Sequence, residues 1–320
     1  MKWIATSVLL LSAISSLQAQ ELLAPAIKGV VTANTPIEFI KDGFQGTEGP
    51  LPLPDGSLIF AEWQGTRIIH VAVDGSTSTY LDLGEGHGVN SLAFNKQGEV
   101  LAILVNKAAI DVVYPQDKAR TVVDAYQGAP LGRLNDLVVD KHGGIYFTEM
   151  GVNTPAGQAA PTTAPPAAAV YYLDAHGELH QLDTTVAFPN GIQLSPDEKT
   201  LYVANTRGEY VFAYDVKKDG TVGTRRDFAK LDGFRANNAG VMSSGADGLA
   251  IDAKGRLYVA SSLGVQVFDN KGTALGTIAL PKVPNNLAFA GPGKKTLYIV
   301  GRGSVWRIAT QTKGYAGRVK

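Results

Sequence analysis

The amino-acid sequence predicts an all-β fold, a six-bladed β-propeller with a central channel. Three observations predict it: one short phrase recurs six times, the recurrences lie at similar intervals, and helical periodicity is weak beyond the first 19 residues. Each phrase contains a polar residue, an apolar run, a turn with glycine and a second apolar run. The polar residues, called anchors below, are Glu48, Asn90, Asn135, Asn190, Asp247 and Asn285, spaced by 42, 45, 55, 57 and 38 residues. Repeats of about this length, with about four short strands each, are typical of propeller blades.

The apolar runs between the turns predict the strands of the six blades. These runs are short, rich in Val, Ile, Leu, Tyr and Phe, and bounded by turn residues. The predicted strands are 57–61 and 67–73 in blade 1; 91–94, 100–105 and 110–114 in blade 2; 137–139, 145–148 and 170–173 in blade 3; 192–194, 201–204 and 210–214 in blade 4; 249–251, 257–260 and 265–268 in blade 5; and 287–289, 296–300 and 305–308 in blade 6.

One segment interrupts blade 3. Residues 151–169 contain four prolines, many alanines and no charged residue, a composition that cannot continue a sheet ladder. Long loops in compact domains are either functional or without fixed structure. We therefore expect a Pro/Ala-rich insertion that is either a lid over one face of the propeller or a mobile surface segment.

The beginning of the chain predicts export. Residues 1–19 combine Lys2, a long apolar stretch and Ala19 before Gln20, which is the pattern of a cleaved signal peptide. The apolar core of about 15 residues is shorter than the ~20 that a membrane span needs. We expect a secreted protein, periplasmic if the source is bacterial, with residues 20–320 forming one propeller domain and no membrane attachment after the signal is removed.

Composition and missing motifs exclude several functions. The chain has no cysteine, which excludes disulfides, thiolate zinc sites and a cysteine nucleophile. Its 29 basic and 29 acidic residues balance without a basic block, so nucleic acid is not an expected partner. The five histidines show no His-Glu-x-x-His spacing, and no Gly-x-Ser-x-Gly, P-loop or dinucleotide glycine pattern occurs.

The anchors predict a cation site. Six blades set radially bring the anchors to one ring around the channel, where Glu, Asp and Asn side chains form an oxygen cage suited to a hard cation. Glu48 and Asp247 neutralise a dication, while the amide oxygens of Asn135 and Asn190 add ligands without charge. This all-oxygen set suits Ca²⁺, the expected ion, as well as Mg²⁺ or Mn²⁺, and Zn²⁺ is an alternative that it matches less well. A simpler interpretation exists for Asn190-Gly191 and Asp247-Gly248, since such pairs are typical turn residues.

Four segments resemble one known family in order and at blade spacing. They are Glu48-Gly49-Pro50, residues 135–140 with 145–148, Pro189-Asn190-Gly191 with 201–204, and residues 246–250. Together they resemble the gluconolactonase and regucalcin (senescence marker protein) family, from about residue 40 to about residue 310. The sequence departs from that family at Asn90-Ser91, where Asn-Gly is commoner, and at Glu149-Met150, where Asp-Pro is more usual.

The resemblance implies a metal-dependent site. It implies a six-bladed propeller with one catalytic divalent cation at the channel mouth, bound by the positions of Glu48, Asn190 and Asp247. It further implies that Asn135 faces the metal or the substrate, that Arg133 contacts the substrate, and that Asp247 is the catalytic base as well as a ligand.

Residue chemistry agrees with hydrolysis of a lactone. A cation polarises an ester carbonyl and lowers the pKa of bound water. Asp247 would orient or deprotonate that water, and Arg133 would hold a hydroxyl or carboxylate of the substrate as a donor fork. We also expect Asn90 to line the channel or contact substrate, His87 in the preceding loop to contact substrate or transfer a proton, and Asn285 to be structural.

The sequence thus predicts an exported, divalent-metal-dependent lactonase that opens a sugar lactone, such as an aldono-1,5-lactone, to its hydroxy acid. Two alternatives stay open. One is a related propeller hydrolase that acts on phosphotriesters or other esters. The other is a non-catalytic binding propeller in which the ring holds a structural ion. The natural lactone, the physiological metal and the oligomeric state are not determined by the sequence.

Overall fold

Six antiparallel sheets follow one another along the chain in the computed structural model, which describes residues 21–151, 168–236 and 240–317. In blade 1 the strands are Glu48–Pro52, Leu58–Ala61, Arg67–Val71 and Thr77–Asp82; in blade 2, Val89–Phe94, Val100–Leu104, Ala109–Tyr114 and Arg120–Val123; and in blade 3, Leu134–Val139, Ile145–Glu149, Ala169–Leu173 and Leu179–Asp183. Blade 4 contains Pro189–Leu194, Thr200–Asn205, Tyr210–Asp215 and Arg226–Lys230, and blade 5 contains Leu249–Ile251, Leu257–Ser261, Gly264–Phe268 and Ala274–Ile278. The predicted fold class, an all-β six-bladed propeller, is confirmed.

Blade 6 joins the two ends of the chain. Its inner strands are Asn286–Ala290, Thr296–Gly301 and Ser304–Ala309, and its outer strands come from the amino-terminal part, Thr35–Lys41 followed by Leu23–Ala24. In the closing pair, Ile37 lies opposite Ile308, and Phe39 lies opposite Trp306. The ring of blades is therefore closed by backbone hydrogen bonds between residues far apart in sequence.

The first strands of the blades surround the central channel. Each first strand contacts the first strands of both neighbouring blades, so the six form a closed ring. Two short hairpins, Ala125–Tyr126 with Ala129–Pro130 and Arg235–Ala236 with Met242–Ser243, lie in connections between blades. Short 3-10 turns occur at Gln116–Lys118 and Pro292–Lys294.

Hydrophobic packing fills the spaces between neighbouring blades. Six clusters of buried residues each draw on two adjacent sheets, for example Ile59 and Leu92 between blades 1 and 2, and Phe60 and Tyr298 between blades 6 and 1. Because strands alternate their side chains between two faces, the inner strands of a blade are buried on both sides and read as nearly continuous apolar runs. This is why the sequence predicts these strands well.

The sequence predictions fail in specific places. The first strand of blade 1 and the fourth strands of the blades were not predicted, and blade 6 receives its fourth strand from the amino-terminal part. Blade 3 resumes at Ala169, paired with Glu149, one residue earlier than expected. Residues 152–167 of the Pro/Ala-rich insertion and the predicted signal peptide lie outside the described residues. Among the residues that are described, no helix has the length and apolar character to cross a membrane.

The closing strand gives a stability prediction. Replacing Ile37 by alanine is expected to lower the free energy of unfolding by about 2–5 kcal/mol, because its buried side chain packs in the cluster between blades 5 and 6. Phe39→Ala on the same strand is the matched control, since that side chain is 57% exposed. Chemical denaturation measures both values, and equal losses for the two variants would show that closure does not depend on packing at Ile37.

Candidate metal centre

The six anchors lie at one end of the channel. Four of them occupy the first or second residue of a first strand, whereas Asp247 and Asn285 come just before one. Since the first strands form a ring and each runs away from its anchor, the anchors share one mouth of the propeller. The loops that carry Arg133 and His87 directly precede first strands and therefore border the same mouth.

The residue after each anchor packs against the next blade. A Cβ added at Gly191 would lie 2.2 Å from the carbonyl oxygen of Asp247, and one added at Gly248 would lie 2.0 Å from Oδ1 of Asn286. Neither glycine has a left-handed backbone. Asn190 and Asp247 do not have a left-handed backbone either. The interpretation of the two pairs as turn residues is therefore wrong. Glycine occurs here because the blades approach too closely for a side chain.

Where the residue after an anchor is not glycine, its side chain forms a hydrogen bond to the neighbouring blade. Ser91 Oγ donates to Asp136 Oδ1 at 2.5 Å, and Asp136 Oδ2 accepts from the backbone N–H of Ile192 at 3.1 Å. Asn286 Nδ2 donates to Glu48 Oε2 at 3.1 Å. The departure at Ser91 thus has a structural reason: its hydroxyl bonds a carboxylate of the neighbouring blade.

Glu48 and Asp247 lie close enough to interact electrostatically. Burial, followed by the negative charge of Asp247, raises the pKa of Glu48 well above its ordinary value. Asp247 is half-buried as a residue, and its carboxylate is desolvated by the surrounding protein. This desolvation, with the charge of Asp136 added, raises the pKa of Asp247 to about 7. When two desolvated carboxylates lie this close, ionisation of one disfavours ionisation of the other. A dication offsets this repulsion, and its binding there is strongly favoured.

Two asparagines of blade 6 orient these carboxylates. Asn285 Nδ2 donates to Asp247 Oδ2 at 3.1 Å, while Asn285 Oδ1 accepts from the backbone N–H of Arg302 at 3.0 Å. In the same manner, Asn286 donates to Glu48, and its Oδ1 accepts from the N–H of Leu287 at 2.9 Å. Because a backbone N–H fixes each amide oxygen, each amide N–H must face a carboxylate.

Asn190 completes a set of three oxygen donors. Its Nδ2 donates to Thr206 Oγ1 at 3.0 Å, and its amide also hydrogen-bonds Asp247. Its Oδ1 is buried and has no hydrogen-bond partner. An unsatisfied buried oxygen costs about 1–3 kcal/mol, and a cation is a partner that removes this cost. The donor set of Glu48, Asp247 and Asn190 therefore fits a hard divalent ion by its chemistry.

Arg133 lies within electrostatic reach of this set. Partial burial lowers the pKa of Arg133, while the negative charge of Asp247 raises it. The segment before it is held by Glu149, whose Oε1 accepts from the backbone N–H of Gly132 at 2.5 Å. Glu149, the second departure from the family pattern, therefore supports the loop that carries Arg133.

Three predicted residues have weaker connections to this set. Asn90 Nδ2 donates to the backbone oxygen of Asn135 at 2.9 Å, so the Asn90 amide bridges two blades. The side chain of Asn135 is half-buried and makes no hydrogen bond within the described ranges. His87 is exposed beside an open cleft of about 300 Å³ that Trp63 and Asn106 also line. The structure shows no contact between His87 and the carboxylate pair among the residues it describes.

Comparison with known proteins identifies the family. A family model described as SMP-30/Gluconolactonase/LRE-like region matches residues 46–302, which is most of the chain. The chain belongs to this family. Gluconolactonase of Zymomonas mobilis is 28% identical over 311 residues, covering 91% of this chain and 86% of that protein. Pentonolactonase of Haloferax volcanii is 28% identical and covers 80% and 81%.

Solved structures agree with the SMP-30/gluconolactonase assignment. A gluconolactonase structure from Xanthomonas campestris has a TM-score of 0.75 and 27% identity, covering 91% of this chain and 94% of that one. The resemblance inferred from the four segments is thereby confirmed. The roles of individual residues at the channel mouth stay predictions.

Sequence reasoning missed several residues of the candidate site. Asp136, Asn286 and Thr206 all bind an anchor or a neighbour of one, yet the sequence did not single them out. For Asp136 and Asn286 a signal existed, because both occupy the position after an anchor. For Thr206 no local signal existed, since its contacts join segments about 16 and 40 residues away in sequence.

A second acidic cluster lies away from the anchors. Asp174, Glu178 and His180 have ligand atoms within 4.8 Å of one another. They sit around the turn between the outer strands of blade 3, at the opposite end of the strands from the anchors. Exposed clusters of this kind commonly occur without an ion, and the predicted centre lies elsewhere.

The raised pKa values predict a pH dependence for the metal-free protein. Folded Asp247 and Glu48 hold protons more tightly than the unfolded chain, so the contribution of these two groups to stability is greatest below about pH 4 and is lost between about pH 5 and about 7. In EDTA, the melting temperature should decrease across this range, and the decrease should be smaller in Asp247→Asn. Saturating Ca²⁺ should remove the decrease, because ionised carboxylates bind the cation. Parallel wild-type and variant profiles in EDTA would contradict the assignment.

Proposed function

We propose that this protein is a divalent-metal-dependent lactonase that hydrolyses a sugar lactone to the hydroxy acid. The observation that carries the proposal is the convergence of Glu48, Asp247 and the unpartnered Oδ1 of Asn190 at the channel mouth. Family membership supports the reaction class, because relatives from Zymomonas mobilis and Haloferax volcanii are named gluconolactonase and pentonolactonase.

Glu48, Asp247 and Asn190 would hold the cation, with Asn135 as a further ligand or substrate contact. Their donors are all oxygens, which favours Ca²⁺ and leaves Mg²⁺, Mn²⁺ or Zn²⁺ as alternatives. When bound, the cation polarises the lactone carbonyl and stabilises the negative charge that develops on its oxygen.

The protein's own groups perform the proton transfers. Asp247 accepts a proton from the water that attacks the carbonyl carbon, and a new carbon–oxygen bond forms. The bond from the carbonyl carbon to the ring oxygen then breaks, and the proton held by Asp247 passes to that oxygen as it becomes a hydroxyl. Asn285 holds Asp247 in place during both steps through its 3.1 Å hydrogen bond to Oδ2.

Substrate recognition would come from residues that border the mouth. Arg133 offers a planar set of N–H donors to the hydroxyl or carboxyl groups of the substrate. In this proposal Asn90 would line the channel or contact the substrate, and His87 would contact the substrate or transfer a proton.

Hydrolysis of glucono-1,5-lactone, followed with a pH indicator and corrected for the spontaneous reaction, tests the function. EDTA should abolish the rate and Ca²⁺ should restore it. Asp247→Asn should lower kcat by about 10²–10⁴-fold, the contribution typical of a general base. Asp174→Asn, in the exposed outer cluster, is the matched control and should keep the wild-type rate.

Different failures would favour different alternatives. A folded protein that binds Ca²⁺ but hydrolyses neither glucono-1,5-lactone nor other aldonolactones would overturn the lactonase proposal and favour a binding propeller. Hydrolysis of aryl esters or phosphotriesters in place of lactones would instead favour the related hydrolase.

We also propose that the protein is exported after cleavage of residues 1–19, on the basis of the apolar leader and Ala19 before Gln20. Expression of the full chain in a Gram-negative host should yield a mature periplasmic protein that begins at Gln20. Fractionation and intact mass spectrometry check this expectation. A cytoplasmic product that retains residues 1–19 would contradict it.

A further inference from the structure

Thr206 joins the two blades that carry Asn190 and Asp247. It follows the second strand of blade 4, and its Oγ1 lies 3.0 Å from Asn190 Nδ2 and 2.6 Å from the backbone oxygen of Ala246. Its own backbone oxygen accepts from the N–H of Ser244 at 3.1 Å and from Ser243 Oγ at 2.8 Å. One residue of blade 4 is therefore bound at three points to the segment that leads into Asp247.

The hydroxyl of Thr206 determines which way the Asn190 amide faces. A threonine hydroxyl has a single hydrogen, and the carbonyl of Ala246 can only accept, so that hydrogen is used there. The remaining lone pairs of Oγ1 can only accept from Asn190. The atom of Asn190 that faces Thr206 must therefore be the nitrogen, and the amide oxygen must face elsewhere.

This orientation decides whether Asn190 can bind a cation. With the nitrogen towards Thr206, Oδ1 is the buried oxygen that has no partner. A flipped amide would present N–H groups in its place, and an N–H group cannot coordinate a cation. Asp247 also hydrogen-bonds the Asn190 amide, but it is itself a proposed ligand. Thr206 is the partner of this amide from outside the ligand set.

We propose that Thr206 is a positioning residue of the metal centre, which fixes the Asn190 amide with Oδ1 available to the cation and locks Asn190 and Asp247 into one hydrogen-bonded frame. This inference rests on the proposed metal centre and deepens it. In this proposal Thr206 is not itself a ligand, and it acts through its hydrogen bonds to Asn190 and to the segment 243–246.

Calorimetric titration with Ca²⁺ alone tests the proposal without any assay of activity. Thr206→Val keeps the shape of the side chain and removes the hydroxyl, and should weaken Ca²⁺ binding by about 10–100-fold, as loss of a partner that orients a ligand typically does. Thr206→Ser keeps the hydroxyl and should bind with nearly wild-type affinity. Glu48→Gln, which alters a proposed ligand directly, is the positive control and should weaken binding at least about tenfold.

A second pair of variants covers the case in which Thr206→Val does not fold. Thr206→Ser and Thr206→Ala both lack the methyl group and differ only in the hydroxyl. Weak Ca²⁺ binding by the alanine variant and normal binding by the serine variant would support the proposal. Melting temperatures in EDTA show whether each variant is folded before titration.

The outcomes separate this inference from the metal centre itself. If the wild-type protein binds no divalent ion, the proposed metal centre is contradicted, and so is the positioning role of Thr206. If wild type binds Ca²⁺ and folded Thr206→Val or Thr206→Ala binds equally well, only the positioning role is overturned. Equal weakening in the serine and alanine variants would also overturn it, since packing of the methyl group would then explain the loss.

Discussion

The contact between each inner strand and the next one around the channel is the constraint on which the rest of this structure depends. At the position after each anchor, the sequence has either glycine, which permits close approach, or a side chain that hydrogen-bonds the neighbouring blade. Gly191 and Gly248 belong to the first kind, and Ser91, Asp136 and Asn286 to the second. Both kinds hold the anchors at a fixed spacing, which is what converts six separate repeats into one site.

The ring of first strands brings acidic side chains close together, which is electrostatically unfavourable. Burial and nearby negative charge raise the pKa of Glu48 and of Asp247, so ionising either carboxylate in the metal-free protein costs stability. The six hydrophobic clusters between blades supply the stabilisation that keeps these acids in place. Stability and function are thus spatially separated: packing lies between the sheets, and the polar chemistry lies where the sheets meet at the axis.

Sequence reasoning succeeded where burial leaves a pattern. Strands such as Val100–Leu104 and Leu257–Ser261 are covered on both faces, and their apolar runs identify them. The fourth strands have few buried residues, as in Arg226–Lys230 where only Ala229 is buried, so their composition resembles that of a loop. The strand Thr35–Lys41 was missed for a different reason. Its partner strand, Ser304–Ala309, lies about 270 residues away, and no local sequence feature predicts that pairing.

The candidate site was predictable to a similar degree. The anchors could be found because they recur, and the structure places Glu48, Asn190 and Asp247 within interaction distance. Asn135 was grouped with them by its position in the repeat, which specifies a ring but not the direction of a side chain, and His87 was added because its loop precedes Asn90. Contacts such as Thr206 with Asn190 depend on how two blades meet, and a one-dimensional pattern does not contain that information.

Blade 6 is built from both ends of the chain. The proposed metal centre can therefore assemble only when the chain is nearly complete. Asn285 and Asn286, which hold Asp247 of blade 5 and Glu48 of blade 1, both enter blade 6, whose outer edge is supplied by residues 35–41. A ribosome-bound chain that lacks its last 40 or so residues therefore has both acids but not the two amides that align them. The geometry proposed for cation binding therefore forms only after the final segment has met the first, and a chain that ends before Asn285 lacks these two contacts.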